Sequence, residues 1–537
     1  MTKRFAIVFV AVALVGSFLI HLRKKEYSVR QHMPKIIRKL DELFDLKLSN
    51  DESIENIIER KRVVPNQVMY YWCHKSWKRF EFRHFLSMYS VIRLLKPDVI
   101  FFLYDKYPEV DKFEYNVWLR ELRETYPFIH LEETKGQQSC NRNIEKRIES
   151  IADELSKRGG FYVHELTILS PSLMPFLRDK KQMIAINRTT GHGFLMTQKG
   201  LIIPRLYKQN LSCHNSIRLS IPLDVYCINM IEKFYPKDIW ELESEFGQLA
   251  RWAAYGEREL MRPKANYTDL APNIAHYIWI GNGTMDYLWY LSVLSVLYVA
   301  NVDKVYIHGE APRGKYWDQI AKNDRVKIIY RYPVTYVFNQ HTSKAVYKAE
   351  IWRVDVMNKY GGIYLDVDAI FVQPLSEEIR SFDAVINIDF IGSYWIGDYP
   401  NILQTGVMVG KPGNQFWDEY LKTMRKFNDN VWVWNSCHLP YKVKEKYPRS
   451  LLIDNRLQVN CFCKRCHPTW WAGYKNMSVH HLNSNSLQNW KTDAYSYHFT
   501  GSVPSEFGSA NAAKTSTTMF GEMARYILDK AGLSHRE

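Results

Sequence analysis

Residues Gly361 to Leu375 read GGIYLDVDAIFVQPL. A pair of glycines is followed by the apolar run Ile363-Tyr364-Leu365, then by Asp366 and Asp368 one residue apart, then by a second apolar run. Alternate residues of a strand share a face, so the pattern predicts a strand with both carboxylates on one side. Paired carboxylates at a strand end suit a hard divalent cation, which takes oxygen ligands and can also hold a diphosphate. The stretch therefore reads as a site for a sugar nucleotide.

Asp-x-Asp alone carries little weight, because a chain of this length contains roughly one such triplet by accident. Its surroundings carry the reading. Upstream, Ala345 to Tyr360 places Val346, Ile351, Val354 and Met357 at helical spacing, and Gly361-Gly362 supplies the stop. Helix, glycine turn, strand and carboxylates follow in order. In open α/β sheets ligands bind beyond the carboxyl ends of strands.

The run Glu350–Leu375 resembles the sugar-binding DXD region of glycosyltransferase family 32. It is also similar to the glucosylating domain of large bacterial toxins. Glu350 and Arg353 stand at the family's spacing before the motif, with Glu where the family usually has Asp. Ala275 to Gly281 (AHYIWIG) resembles the family's first strand and its tryptophan. The resemblance covers about residues 272 to 411. It implies a GT-A-like nucleotide-sugar transferase fold of the α/β class. Trp279 would stack on a uracil ring, with Tyr364 beside the nucleotide. Arg353 and Glu350 would touch the diphosphate-sugar, and Asp366 and Asp368 would hold ribose and metal. Tyr497-His498-Phe499-Thr500-Gly501-Ser502 looks like the closing segment, where a metal or phosphate ligand can sit, which would make His498 a third metal ligand; the alternative is an ordinary core or loop histidine. Manganese or magnesium, a UDP-linked donor and retention at the anomeric carbon are implied in the same way.

With 537 residues and 46% hydrophobic content, the chain can build two or three cored domains. Its formal net charge of +15 suits anionic membranes, nucleotide-sugars or acidic glycans. No zinc-finger, recognition-helix or other nucleic-acid signature accompanies that charge, so nucleic acid is not an expected partner.

Phe5 to Leu22 is apolar, interrupted by Gly16, Ser17 and His21 and flanked by Lys3-Arg4 and Arg23-Lys24-Lys25. It reads as a signal-anchor of just sufficient length, or as a signal peptide cut near Ser17. The anchor reading gives a type II Golgi membrane protein with a lumenal body; cleavage gives a secreted one. Eight cysteines divide four and four between the halves, which allows two internal bridges in each. Cys461, Cys463, Cys466 and His467 form a cluster that a zinc ion could use instead. Sequons begin at Asn187, Asn210, Asn266, Asn282 and Asn476.

The chain also repeats itself. Pro65-Asn66-Gln67-Val68-Met69-Tyr70-Tyr71-Trp72 aligns with Pro272-Asn273-Ile274-Ala275-His276-Tyr277-Ile278-Trp279 at an offset of 207. Gly159-Gly160-Phe161-Tyr162-Val163-His164-Glu165-Leu166 aligns with Gly361 to Asp368 at an offset of 202. The runs Val99–Tyr104 and Lys304–His308 read as second strands of the two copies. In the first copy His164 and Leu166 replace the two aspartates, and Ile151 replaces Arg353. Glu165 falls between, on the opposite strand face. The first copy is therefore expected to have lost nucleotide-sugar binding, leaving acceptor binding, dimer contact or support as its roles.

The expected organisation is a tail and signal-anchor over 1–25 and a stem over 26–63. A degenerate transferase-like domain over 64–260, a linker over 261–271 and a catalytic domain over 272–537 follow. Glycines and Pro400 between Asp389 and Gly413 read as a mobile loop near the site. The expected activity is metal-dependent sugar transfer from a nucleoside-diphosphate donor to a glycan, glycolipid or glycoprotein acceptor, with a homodimer left open. The opposing reading is an inactive transferase-like lectin or a chaperone of another transferase.

Overall fold

The structure is a computed structural model. It describes residues 64–534 apart from 75–77, 135–139, 141–142, 188, 204–212, 216–225, 333, 343, 390–395, 463–488, 501–508 and 517–518. The expected anchor and stem, the sequons at 210 and 476, and most of the cysteine cluster lie outside the described residues. Among the described residues, no helix is long and apolar enough to cross a membrane.

In the first half, strands β1 (Gln67–Trp72), β2 (Val99–Tyr104), β3 (Ile129–Glu133) and β4 (Gly160–Val163) run parallel. β5 (Thr167–Leu169) leaves the sheet, while β6 (Gln182–Ile186) and β7 (Gly193–Thr197) complete it. The order is β3-β2-β1-β4-β7-β6, with β7 antiparallel to both neighbours. β8 (His214–Asn215) and β9 (Cys227–Asn229) join β5 in a small sheet of order β5-β9-β8.

The second half has β10 (Ile274–Trp279), β11 (Lys304–Gly309), β12 (Val326–Ile329), a short hairpin of β13 (Tyr336–Val337) and β14 (Gln340–His341), and β15 (Gly362–Leu365). β16 (Ala369–Phe371) leaves for a small sheet, and β17 (Ala384–Ile388), β18 (Leu403–Gly410) and β19 (Leu452–Ile453) finish the large one. Its order is β12-β11-β10-β15-β18-β17-β19, again parallel until β18. β20 (Gln458–Phe462) and β21 (Ser496–Thr500) pair with β16 in the order β16-β21-β20.

The correspondence extends to single bonds. Ser87 Oγ donates to the Thr167 carbonyl at 2.7 Å, and Ser292 Oγ donates to the Ala369 carbonyl. One turn further on, Ser90 Oγ accepts from Leu169 N at 3.0 Å and Ser295 Oγ from Phe371 N at 2.9 Å. In each half, then, two serines on the helix after the first strand clamp the strand that leaves the large sheet.

The strand cores explain the sheets. β1 and β10 are buried along most of their length, as central parallel strands covered by helices on both faces are. The Ala345–Tyr360 helix ends where Gly361 (φ 62°) and Gly362 (φ 92°) turn the chain. A Cβ on Gly361 would lie 2.6 Å from Pro412, so a side chain is excluded by space as well as by φ.

The expected linker has neither helix nor strand and turns at 267–269, with Asn266 N donating to Ser381 O and Ala271 N to Arg380 O. The halves it joins are not separate bodies. Residues 64–537 form one compact unit, and one hydrophobic core runs from Val68 and Phe102 to Met408 and Trp417. Tyr115 OH donates to the buried Glu445 carboxylate at 2.7 Å, and Lys442 Nζ sits 3.7 Å from the centre of the Trp118 ring. Asp398 receives Asn116 Nδ2 at 2.7 Å and pairs with Arg79. Buried hydrogen bonds and cation–π contacts of this kind hold the two halves in one arrangement.

Disulfides join Cys73 to Cys140 and Cys213 to Cys227, so the first half has its two bridges. The second half does not follow suit, because Cys437 is a buried free thiol. Gly406 and Gly410 also depart from expectation: they belong to β18, not to a mobile loop. An eight-residue run with only two glycines retains enough apolar side chains to sit in the sheet centre.

Candidate donor-binding site

Three strands bring the site together. β10 and β15 are neighbours, yet the chain proceeds from β10 away to β11 and β12 before returning through the Ala345–Tyr360 helix. That reversal makes their carboxyl ends a topological switch point, the position at which open α/β sheets bind ligands. Trp279 ends β10, and Asp366 follows β15.

Asp366 and Asp368 lie in the turn between β15 and β16, not on a strand as their alternation implied. Asp366 N donates to the Gly406 carbonyl at 2.8 Å, and Ala369 N donates back to Asp366 O at 3.1 Å. The chain changes sheets within these residues, and the turn, not strand pleating, brings the carboxylates together. His498 arrives from β21, whose register sets it opposite Ala369. Its Nε2 lies 3.1 Å from Asp368 Oδ1 and 3.7 Å from Asp366 Oδ2. One ligand atom from each of the three residues lies within 4.8 Å of the others.

Charge surrounds this triad in layers. Tyr364 OH donates to Asp366 Oδ1 at 2.5 Å, and Arg353 Nη2 sits 3.2 Å from the same oxygen. Arg353 Nη1 donates to Thr405 O at 3.1 Å and to Thr405 Oγ1 at 3.0 Å. Burial works against its charge, but Asp366 and Tyr364 hold the guanidinium protonated. At 5% exposure it braces Asp366 from beneath, a position more enclosed than direct diphosphate contact would require. Glu350 is 4% exposed and receives Asn435 Nδ2 at 3.1 Å. Burial pushes its carboxyl up to about 7, with the Arg353 charge opposing the rise. It sits under Arg353.

His498 is buried, which favours its neutral form, yet the charge and hydrogen bond of Asp368 raise its pKa overall. Its Nδ1 has no partner among the described residues. Two carboxylates and an imidazole are a donor set that manganese or magnesium accepts, so the residues present fit a divalent cation. Trp279 is half-buried with its ring centre 4.3 Å from that of Trp289, and its Nε1 is buried without an acceptor among the described residues. That stacking leaves a single aromatic platform at the strand end.

All the residues expected from the sequence therefore lie in one neighbourhood, with Arg353 and Glu350 a layer deeper than expected. Thr405, Gly406 and Asn435 were not anticipated as site residues. Thr405 and Gly406 interrupt the apolar run Leu403–Gly410, the one local signal that this strand passes something polar. Asn435 lies in an irregular turn of helix with no signature.

Residues 297–386 match the family described as glycosyltransferase sugar-binding region containing DXD motif. The matched stretch contains Glu350, Arg353, Asp366 and Asp368, the residues that carried the resemblance. The chain is 22% identical over 241 residues to Glucan organizing enzyme 1 of Cryptococcus neoformans var. grubii serotype A, covering 43% of this chain and 62% of that protein. It thus spans less than two thirds of that relative. Among solved structures, the PaToxG glycosyltransferase aligns at a TM-score of 0.24 and 16% identity, over 33% of this chain and 69% of that one. The apo-form glycosyltransferase GlyE of Streptococcus pneumoniae TIGR4 aligns at 0.21 and 12% identity, over 56% and 91%.

Proposed function

We propose that the chain is a glycosyltransferase that moves a sugar from a UDP-linked donor to a glycan, glycolipid or glycoprotein acceptor. The observation that carries this is the convergence of Asp366 and Asp368, inside the stretch that matches the DXD region, with His498 from β21 beyond it. Asp366, Asp368 and His498 would hold a manganese or magnesium ion, whose charge, when bound, offsets that of a diphosphate. Trp279 offers a face for the base. Tyr364 and Arg353 fix Asp366 so that its second oxygen, Oδ2, stays turned toward His498. Arg353 also supplies positive charge one layer below the leaving group. Glu350 acts through Arg353 as a positioning residue. We favour retention by front-side attack, the departing phosphate oxygen taking the acceptor's proton, since this needs no enzyme nucleophile.

The two halves are proposed to be copies of one unit. The shared sheet order, the paired serine clamps and the matched turns support that reading. In the first copy His164, Leu166 and Asn229 occupy the places of Asp366, Asp368 and His498, so a divalent cation would find no carboxylate pair there. A lumenal, membrane-anchored location is proposed from the apolar run 5–22 and is compatible with the two disulfides.

Nucleotide release tests the activity. The chain is incubated with manganese and a panel of UDP- and GDP-sugars, with and without acceptor glycans. Turnover of one donor that disappears in Asp368→Ala supports the assignment. Metal-dependent nucleotide affinity without turnover on any acceptor would instead mark a binding protein.

A further inference from the structure

The first half has a cavity of about 210 Å³ at the turn that corresponds to the Asp366–Asp368 turn of the second half. It opens at the carboxyl ends of β1 and β4, and His164, Glu165 and Leu166 form part of its wall. Glu165 does not point away, as strand alternation implied. Like its counterpart Val367, it lies in a turn, closed by Thr167 N donating to His164 O at 2.8 Å, and a turn does not alternate faces. Glu165 Oε1 is 2.7 Å from His74 Nε2 and 3.3 Å from Lys78 Nζ. Its Oε2 makes no hydrogen bond among the described residues.

The remaining lining is cationic or neutral. Arg147, in the first turn of the Ile144–Arg158 helix, reaches the cavity beside the turn at Gly191. No carboxylate lies within ion-pair distance of its guanidinium among the described residues. The rings of His164 and His192 stand 4.2 Å apart. Burial lowers both, His164 to about 3, so both imidazoles are neutral at physiological pH. Lys78 and Arg147 outnumber Glu165, the one carboxylate of the lining. Thr190 and the rings of Tyr71 and Tyr162 complete the walls.

We propose that this cavity binds one acidic monosaccharide unit, a hexose bearing a carboxylate or a phosphate. The unpaired Arg147 guanidinium supplies the charge complement, and forked donors favour planar or tetrahedral oxyanions. The buried Glu165 carboxylate would repel a bare anion but accepts hydrogen bonds from hydroxyl groups, while neutral His164, whose Nδ1 accepts from Leu166 N at 3.2 Å, has its Nε2–H to donate. The space is below the about 300–1,000 Å³ of sites for drug-sized ligands, which limits the occupant to a single small ring. A metal ion is not favoured, because the only group of ligand atoms with metal spacing among the described residues is the one at Asp366. The proposal rests on this cavity and does not depend on transfer at Asp368.

Calorimetric titration of the whole chain tests it, in a chelator and in the Asp368→Ala background, which leaves the second-half site without metal. The probes are glucuronate, glucose 6-phosphate, glucose and inorganic phosphate. One or both acidic sugars should bind, with glucose and phosphate each at least about tenfold weaker. Arg147→Gln should weaken the acidic sugar about tenfold without moving the thermal midpoint, and Lys78→Gln should weaken it in the same direction. Glucose binding as tightly as the acidic sugars would overturn the charge assignment. Phosphate binding equally well would overturn the sugar assignment. No binding of any probe, or unchanged affinity in both variants, would overturn the site. Because nucleotide release is scored separately, failure here and failure of the transferase reading are distinguishable.

Discussion

Gly406 lies against the His498 imidazole so closely that a methyl group on its Cα would sit 2.2 Å from Cε1 and 2.4 Å from Nδ1. The same methyl would stand 3.2 Å from Asp366 Oδ2. No rearrangement of the ring alone relieves both contacts, because His498 is 3% exposed. On the proposed function, Gly406→Ala should therefore displace His498 or Asp366 and lower nucleotide affinity in manganese by about 10- to 100-fold, as loss of ligand support does elsewhere. Overpacking should also cost about 1–3 kcal/mol of stability. Unchanged nucleotide affinity in calorimetry would remove His498 and Asp366 from the site.

Asp368 is partly exposed and, among the described residues, its side chain bonds only to His498, so its loss should spare the fold. Asp368→Ala should lower nucleotide release on the order of 10²–10³-fold, the scale on which single charge-stabilising groups act. Its unfolding free energy should stay within about 0.5 kcal/mol of the parent. A variant that is inactive only because it unfolds would not support the assignment, so denaturant titration accompanies the assay.

The paired serine clamps predict equal stability losses with unequal functional ones. Ser292→Ala leaves the Ala369 carbonyl and Tyr277 OH, which lies 2.9 Å from Ser292 Oγ, without their buried partner. Ser87→Ala does the same to Thr167 O. Each should cost about 1–3 kcal/mol. Ser292 holds the residue that follows Asp368, whereas Ser87 holds the matching strand of the first half. Nucleotide release should fall with Ser292→Ala and hold with Ser87→Ala; a loss in both would mean that the halves work as one site.

Glu350 gives the fold a pH dependence of definite sign. Its carboxyl titrates near 7 in the folded chain and in the ordinary range when unfolded. Between those values the folded state binds the extra proton, so its contribution is fully present below the unfolded value and is lost as pH rises through about 7. The cost of holding it ionised above that pH is about 3–4 kcal/mol. Glu350→Gln should flatten the dependence of unfolding free energy on pH between about 4.5 and 7. A parent chain that becomes more stable over that interval, relative to the variant, would contradict the burial argument.

Cys437 should resist alkylation in the native protein. Burial and the nearby Asp389 charge push its thiol well above its usual range, so little thiolate exists to react. Mass spectrometry of the peptide containing Cys437 should show labelling only after denaturation. Rapid native labelling would mean that the core around it opens.

The local pattern determined a good deal of this protein by itself. Apolar runs at Gln67–Trp72, Val99–Tyr104, Ile274–Trp279 and Gly362–Leu365 are strands because nearly every side chain in them is hydrophobic or aromatic, which only a sheet covered on both faces can bury. Gly159-Gly160 and Gly361-Gly362 mark helix ends, since the positive φ at those positions excludes most other residues. The 207 and 202 offsets between such features are legible because composition and spacing are properties of neighbours in the chain. Tertiary structure alone decided the rest. Whether Asp366 and Asp368 share a strand face or a turn depends on β16 leaving for a second sheet. The position of His498 depends on β21 pairing with that same β16, 130 residues away in sequence. Glu165 enters a cavity, Cys437 lacks a bridge and Arg353 lies beneath Asp366 for the same reason. Each outcome was set by which distant segment packs alongside, and the energy that selects a long-range register is spread over whole sheets and cores, not written in the residues beside it.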